Sequence, residues 1–189
     1  MPPKVKIAKN NIITASLDVI RENGAEALNA RAVAKKLNCS TQPIFSNYST
    51  MKDLKNDVMQ SAKQLYQQYI ERGMKDSVYP PYKASGIAYI KFAKEEKELF
   101  KLLFMRDRSQ EEVKEEREEI SDLINLISSN TGMSLDDAYM FHIEMWIYVH
   151  GIATMIATAY LDWKWDTISM MLTDAYEGMR ERYKNKEGK

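Results

Sequence analysis

Three short helical patterns follow one another between Ile12 and Leu54, divided by turns too short to hold other structure. Ile13, Leu17 and Ile20 recur at i, i+4 and i+7 and mark the buried face of a first helix, roughly Lys9 to Asn23. Gly24 follows and suits a left-handed C-cap. Asn29 is a good N-cap for a second helix ending near Leu37, with Val33 and Leu37 on its inner face. Asn38 tolerates a positive φ better than most residues and shapes the next turn. Ser40 or Thr41 then caps a short third helix ending near Tyr48, with Pro43 in its first turn, where a missing N–H costs little. Ile44, Phe45 and Tyr48 are expected to pack this helix onto the first two. Helix, glycine turn, helix, tight turn, short helix is the layout of a helix-turn-helix reader, which lays its second helix in the major groove. An ordinary three-helix bundle is the competing reading of the same residues.

The charge distribution favours the first reading. The formal net charge is zero, but residues 1–55 hold nine Lys/Arg against four Asp/Glu, which leaves that part at +5 and the remainder at −5. A positive module on a negative body is a phosphate-facing footprint. Within it, Lys4, Lys6 and Lys9 form a basic arm able to track a nucleic-acid backbone.

The remainder also reads as helix, so the fold class is all-α. A fourth helix starts at Ser49 or Thr50 and continues towards Met74, with Leu54, Val58, Leu65 and Tyr69 as its apolar stripe. Pro80-Pro81 marks a linker. Tyr82 to Met105 carries two helices with a break near Lys94–Glu98. Ser109 and Glu112 make a capping box for a helix over 111–128, ended by Thr131-Gly132. Ser134 with Asp137 caps the next. Tyr139 to Tyr160 is apolar on nearly every face, so it must be covered all round, by its own chain or by a partner subunit. A last helix, about Asp166 to Lys184, aligns Ile168, Met171, Leu172, Ala175 and Met179, and the tail from Asn185 is expected to fray. The expected division is a reader over residues 1–50 and a ligand-binding and dimerisation body over 51–189.

Chemistry-bearing residues are sparse elsewhere. Cys39 is the only cysteine, which rules out an intrachain disulfide and reads as a small packing residue beside the turn. No apolar run reaches the roughly 18–20 residues that span a bilayer, and no signal core opens the chain, so a soluble cytoplasmic protein without membrane attachment is expected. His142 and His150 lie eight apart, about 12 Å along a helix, too far to share a metal. No phosphate-binding glycine loop, serine elbow or HExxH motif is present, so neither an enzyme nor a cofactor is expected.

The candidate DNA-contacting residues are Lys6, Arg31, Ser40, Thr41, Gln42, Pro43, Ser46, Asn47, Tyr48 and Lys52. Thr41 and Gln42 sit at the base-reading end, where Gln pairs with adenine N6/N7 and Thr meets a thymine methyl. Ser46, Asn47 and Tyr48 lie farther along and suit phosphates. Lys52 and Lys55 open the fourth helix, where the amide dipoles favour an anion.

The segment IITASLDVIRENGAEALNARAVAKKLNCSTQPIFSNYSTMKDL resembles the N-terminal domain of TetR-family transcriptional regulators. The family pattern of an aromatic, a two-residue gap, a second aromatic and then Lys near the start of helix four falls on Phe45, Tyr48 and Lys52. The family usually has Tyr at Phe45, Gly at Asn38, His at Asn47 and its lysine one place earlier, at Met51. MWIYVHGIATMIATAY resembles a Trp/His-Gly signature of some effector domains in that family, carried by Trp146, His150 and Gly151. The resemblance implies a homodimeric regulator, usually a repressor, released from a double-stranded DNA operator by a small-molecule effector. It also implies that part of the Met- and aromatic-rich body lines a cavity for an apolar or aromatic molecule. The candidate ligand-contacting residues are Phe104, Met145, Trp146, Tyr148, His150 and Met155, and plain core and dimer packing is the competing reading for each. The alternative for the whole chain is a helical small-molecule-binding or interaction protein without specific DNA binding.

Overall fold

The computed structural model describes residues 7–75, 77–109 and 120–187. The described residues form helices and no strands, as the all-α reading expects. In chain order they are α1 (Lys9–Asn23), a 3-10 turn (Ala25–Ala27), α2 (Ala30–Lys36), α3 (Gln42–Asn47), α4 (Met51–Lys75), α5 (Pro81–Glu95), α6 (Lys97–Phe104), α7 (Ser121–Thr131), α8 (Leu135–Ala157) and α9 (Trp165–Glu187). The chain divides into two compact units, Met1–Gln68 with Glu95–Arg106 and Tyr69–Lys94 with Asp107–Lys189, and α4 runs from the first into the second.

Local chemistry sets the boundaries in the first unit. Asn29 Oδ1 accepts the Ala32 N–H at 3.0 Å and starts α2. Asn38 takes φ 51° and turns the chain towards α3. Thr50 and Asp53 cap α4 reciprocally: Thr50 Oγ1 accepts the Asp53 N–H at 3.2 Å, and Asp53 Oδ2 accepts the Thr50 N–H at 2.9 Å. Two expectations are corrected. Gly24 does have a positive φ of 81°, but its ψ of 167° sends the chain out extended instead of into a left-handed cap. Thr41 stands at the head of α3 in helical conformation, and its side chain caps nothing.

Ile12, Ile20, Val33, Ile44, Leu54, Val58 and Leu99 are the large fully buried aliphatic side chains of this unit. The unit reaches past residue 50 because α6 packs on α1. A two-pronged ion pair reinforces that contact: Arg21 Nε donates to Glu96 Oε2 at 2.8 Å, and a terminal Arg21 nitrogen donates to Glu96 Oε1 at 3.0 Å.

In the second unit, Ile124, Ile127, Met133, Ala138, Phe141, Met145 and Tyr183 form a core joined by Tyr82, Tyr139, Tyr176 and Met179. Phe141 meets Tyr176 and Tyr183 edge-on, with ring centroids 5.3 and 5.9 Å apart. Gly132, at φ 80° and ψ 0°, supplies the left-handed cap of α7, and Ser134 Oγ caps α8 by accepting the Asp137 N–H at 3.2 Å. The expected Ser109–Glu112 capping box includes Glu112, which lies outside the described residues. α9 continues to Glu187, past the expected fraying point.

The described residues do not bury α8 on every side. Ala138, Phe141, Met145, Val149, Ile152, Ala153 and Ile156 are buried, whereas Met140, Trp146, Ile147 and Met155 stay exposed, Ile147 at 60%. Among the described residues, no helix is long and apolar enough to cross a membrane.

Candidate nucleic-acid interface

α3 is less than two turns long, so each of its residues has one clear direction. Ile44 is fully buried and fixes the helix to the core. At about 100° per residue, Gln42 and Ser46 then face away from that core, and both are exposed. Arg31, Ser40, Asn47 and Lys52 are also exposed, while Thr41 and Pro43 are half-buried. Lys6 lies outside the described residues.

Three of the candidate residues have partners that alter how each acts. Ser46 Oγ donates back to the Gln42 carbonyl at 2.9 Å. Asn47 Nδ2 donates to the carbonyls of Pro43, at 2.8 Å, and Ile7, at 3.3 Å, so it ties the start of the chain to the end of α3. Tyr48 is only 4% exposed. Its hydroxyl donates to Asp57 Oδ2 at 3.2 Å, away from the open surface, and burial pushes the phenol well above its ordinary range. The Asp57 carboxylate also receives Lys9 at 2.6 Å, and this contact holds it below the usual carboxylate value. Lys9 lies over the Tyr48 ring, 4.9 Å from its centroid. The Lys9 of the expected basic arm is therefore engaged in joining α1, α3 and α4.

Phe45 reverses its expected role. It is 51% exposed, while Ile44 takes the inner face of this short helix and Tyr48 is buried just past its end. With Asn29, Ala30, Arg31 and Thr41 it lines a shallow concavity of about 600 Å³. Sequence reasoning also missed Asp57 and Glu96, whose roles depend on partners distant in sequence.

The candidate ligand-contacting residues fall in both units. Phe104 belongs to the first unit, where it meets Tyr66 edge-on at 5.1 Å. Met145 is buried in the second unit's core, Tyr148 is half-buried, and Trp146 and Met155 face outward. Trp146 stacks on His150 with centroids 5.0 Å apart and planes 16° from parallel. His150 Nδ1 is hydrogen-bonded to the Tyr89 hydroxyl at 2.9 Å, and His142 Nδ1 to that of Tyr82 at 3.1 Å. Two tyrosine–histidine pairs thus join α5 to α8. Among the described residues, no group of three or more His, Cys, Asp or Glu is placed to hold a metal.

Burial holds both histidines below their ordinary value of 6.5. A group depressed in the folded chain supports folding fully above its unfolded value and loses that support as pH falls through the folded value. Stability is expected to decline below about pH 6.5 and less steeply in a His142→Gln/His150→Gln variant. Urea midpoints across that range measure this, and parallel slopes for the two proteins would contradict it.

Residues 82–175 match the family model described as tetracyclin repressor-like, C-terminal domain. A crystal structure of a TetR-like transcriptional regulator from Rhodococcus sp. RHA1 superposes with a TM-score of 0.63 at 14% identity, covering 96% of this chain and 97% of that one. No curated protein sequence matches the chain.

Proposed function

The chain belongs to the TetR-like family, and on that premise we propose that it is a cytoplasmic, homodimeric, DNA-binding transcriptional regulator. In this reading it is a repressor that a small apolar or aromatic molecule releases from its operator. The observation that carries the reading is α3: its Gln42 and Ser46 are exposed, as are Arg31 and Lys52, while Ile44 anchors the helix from the buried side. Residues 1–50 are the reader and 51–189 the body. Gln42 and Thr41 read base edges, and Arg31, Ser40, Pro43, Asn47 and Lys52 serve the approach to the backbone, a role given to Lys6 from the sequence alone. Tyr48 contributes by holding α3 against α4 through Asp57.

The exposed apolar side chains of α8 and α9 support the dimer. Met140 and Ile147 are seven residues apart on α8, and Met170 is exposed on α9. Among the described residues, a Cβ added to Gly151 or Gly178 would meet nothing within 4 Å, so both positions are open to close approach by another helix. Pairing α8 and α9 with their copies makes a four-helix interface and sets two readers on successive major grooves, about 34–36 Å apart. The effector is proposed to reach the Trp146–His150–Tyr89 group of the second unit, which combines aromatic faces with polar tips, in company with Met145, Tyr148 and Met155 of the same unit. A ligand that prefers the body conformation with misplaced readers weakens DNA binding by its differential affinity alone, and α4 carries that preference from one unit into the other.

Fluorescence anisotropy on DNA upstream of the chain's own coding region tests this. Gln42→Ala should weaken the specific site by about 10-fold or more and leave random duplex little changed. Lys52→Ala should weaken all duplexes alike and lower the slope of log K against log salt. Equal losses of Gln42→Ala on both duplexes would contradict base reading.

A further inference from the structure

Among the described residues of the reader, Phe45 is the one large apolar side chain left half in solvent. The inward direction of α3 is taken by Ile44, and the buried Tyr48 follows the helix end. Its own direction lies between that buried side and the polar face of Gln42 and Ser46. There it shares the shallow concavity with Thr41 and Arg31. The lining therefore offers an aromatic ring, a threonine methyl and a guanidinium on one side of the helix. A thymine presents the matching chemistry in the major groove, an apolar C5-methyl beside an anionic backbone.

We propose that Phe45 is a specificity-determining residue whose ring packs on the C5-methyl of one operator thymine in each half-site. The assignment rests on the DNA-binding reading above. A phenyl ring has no hydroxyl to give a phosphate, so its contact is apolar and depends on which base stands opposite. Thr41, at i−4, closes the same surface with its methyl, and Arg31 faces the flanking phosphate.

The test uses the full chain and an operator selected from random duplexes. Each thymine is replaced in turn by deoxyuridine, which removes the methyl and keeps the pairing. One position per half-site is expected to weaken wild-type binding about fourfold, the worth of one buried methyl-sized group. In Phe45→Ala that sensitivity disappears, and the operator loses more affinity than random duplex. Because the side chain is half exposed, the variant is expected to keep the wild-type circular dichroism spectrum. A uridine scan with no sensitive position overturns the assignment, as does a loss in Phe45→Ala that is equal on operator and random DNA. Either result leaves DNA binding standing, whereas failure to bind any duplex at low ionic strength removes both readings.

Discussion

Replacing Ile147 by glutamate is expected to yield a folded monomer with its operator affinity reduced about 10²- to 10⁴-fold, the range lost when two linked binding modules are separated. The side chain is 60% exposed in the single chain, so the new carboxylate stays hydrated there and the fold survives. In a dimer built on α8 and α9, the two-fold axis brings the substituted faces together and forces both carboxylates out of water. Ile152→Glu is the contrasting variant. Ile152 is buried within its own unit, and glutamate there strands a charge in the core and should unfold the chain at any concentration. Sedimentation equilibrium with circular dichroism separates the two outcomes. An Ile147→Glu protein that remains dimeric and binds its operator normally would remove α8 from the interface.

The second large effect has an unusual sign. Glycine to alanine in a helix interior ordinarily stabilises by about 1 kcal/mol. At Gly73 the same change is expected to destabilise by about 1–3 kcal/mol, lowering Tm by several degrees. A Cβ built on Gly73 falls well inside contact distance of the Ala88 Cβ, which is fixed to the α5 backbone and cannot rotate away. The last turns of α4 and the middle of α5 must separate to admit it, in the unit that both helices share there. The double variant Gly73→Ala/Ala88→Gly returns the space and should recover most of the loss. Thermal melts of the three proteins decide this, and a Gly73→Ala chain more stable than wild type would contradict the packing described.

What the sequence disclosed and what it hid differ by range. Asn29 caps, Asn38 turns and Thr50 starts a helix through groups within a few residues, so their chemistry is readable in the chain order. The break between α5 and α6 and the left-handed Gly132 are legible for the same reason. The outward turn of Phe45 was not. Phe45, in a helix of six residues, and Tyr48, which follows its end, both read as inward-facing by pattern, but only Tyr48 is buried. The Tyr48 hydroxyl meets Asp57, nine positions on, a partner that a hydrophobic pattern does not register. Arg21 and Glu96 are 75 positions apart, and no periodicity links them, so the attachment of α6 to the reader's unit could not be foreseen. The same holds for Lys9, read as a solvent arm and found between Asp57 and the Tyr48 ring. For α8, the pattern conveyed that the helix must be covered all round, and one chain covers only part of it.

The central claim is that two copies of this chain, joined through α8 and α9, grip one duplex with their α3 helices. Sedimentation velocity of the purified chain with a labelled duplex from upstream of its own coding region tests that most directly. Two protomers per duplex at low ionic strength, dissociating steeply as salt rises, is the expected result. A chain that sediments as a single subunit beside unbound DNA under the same conditions would contradict it.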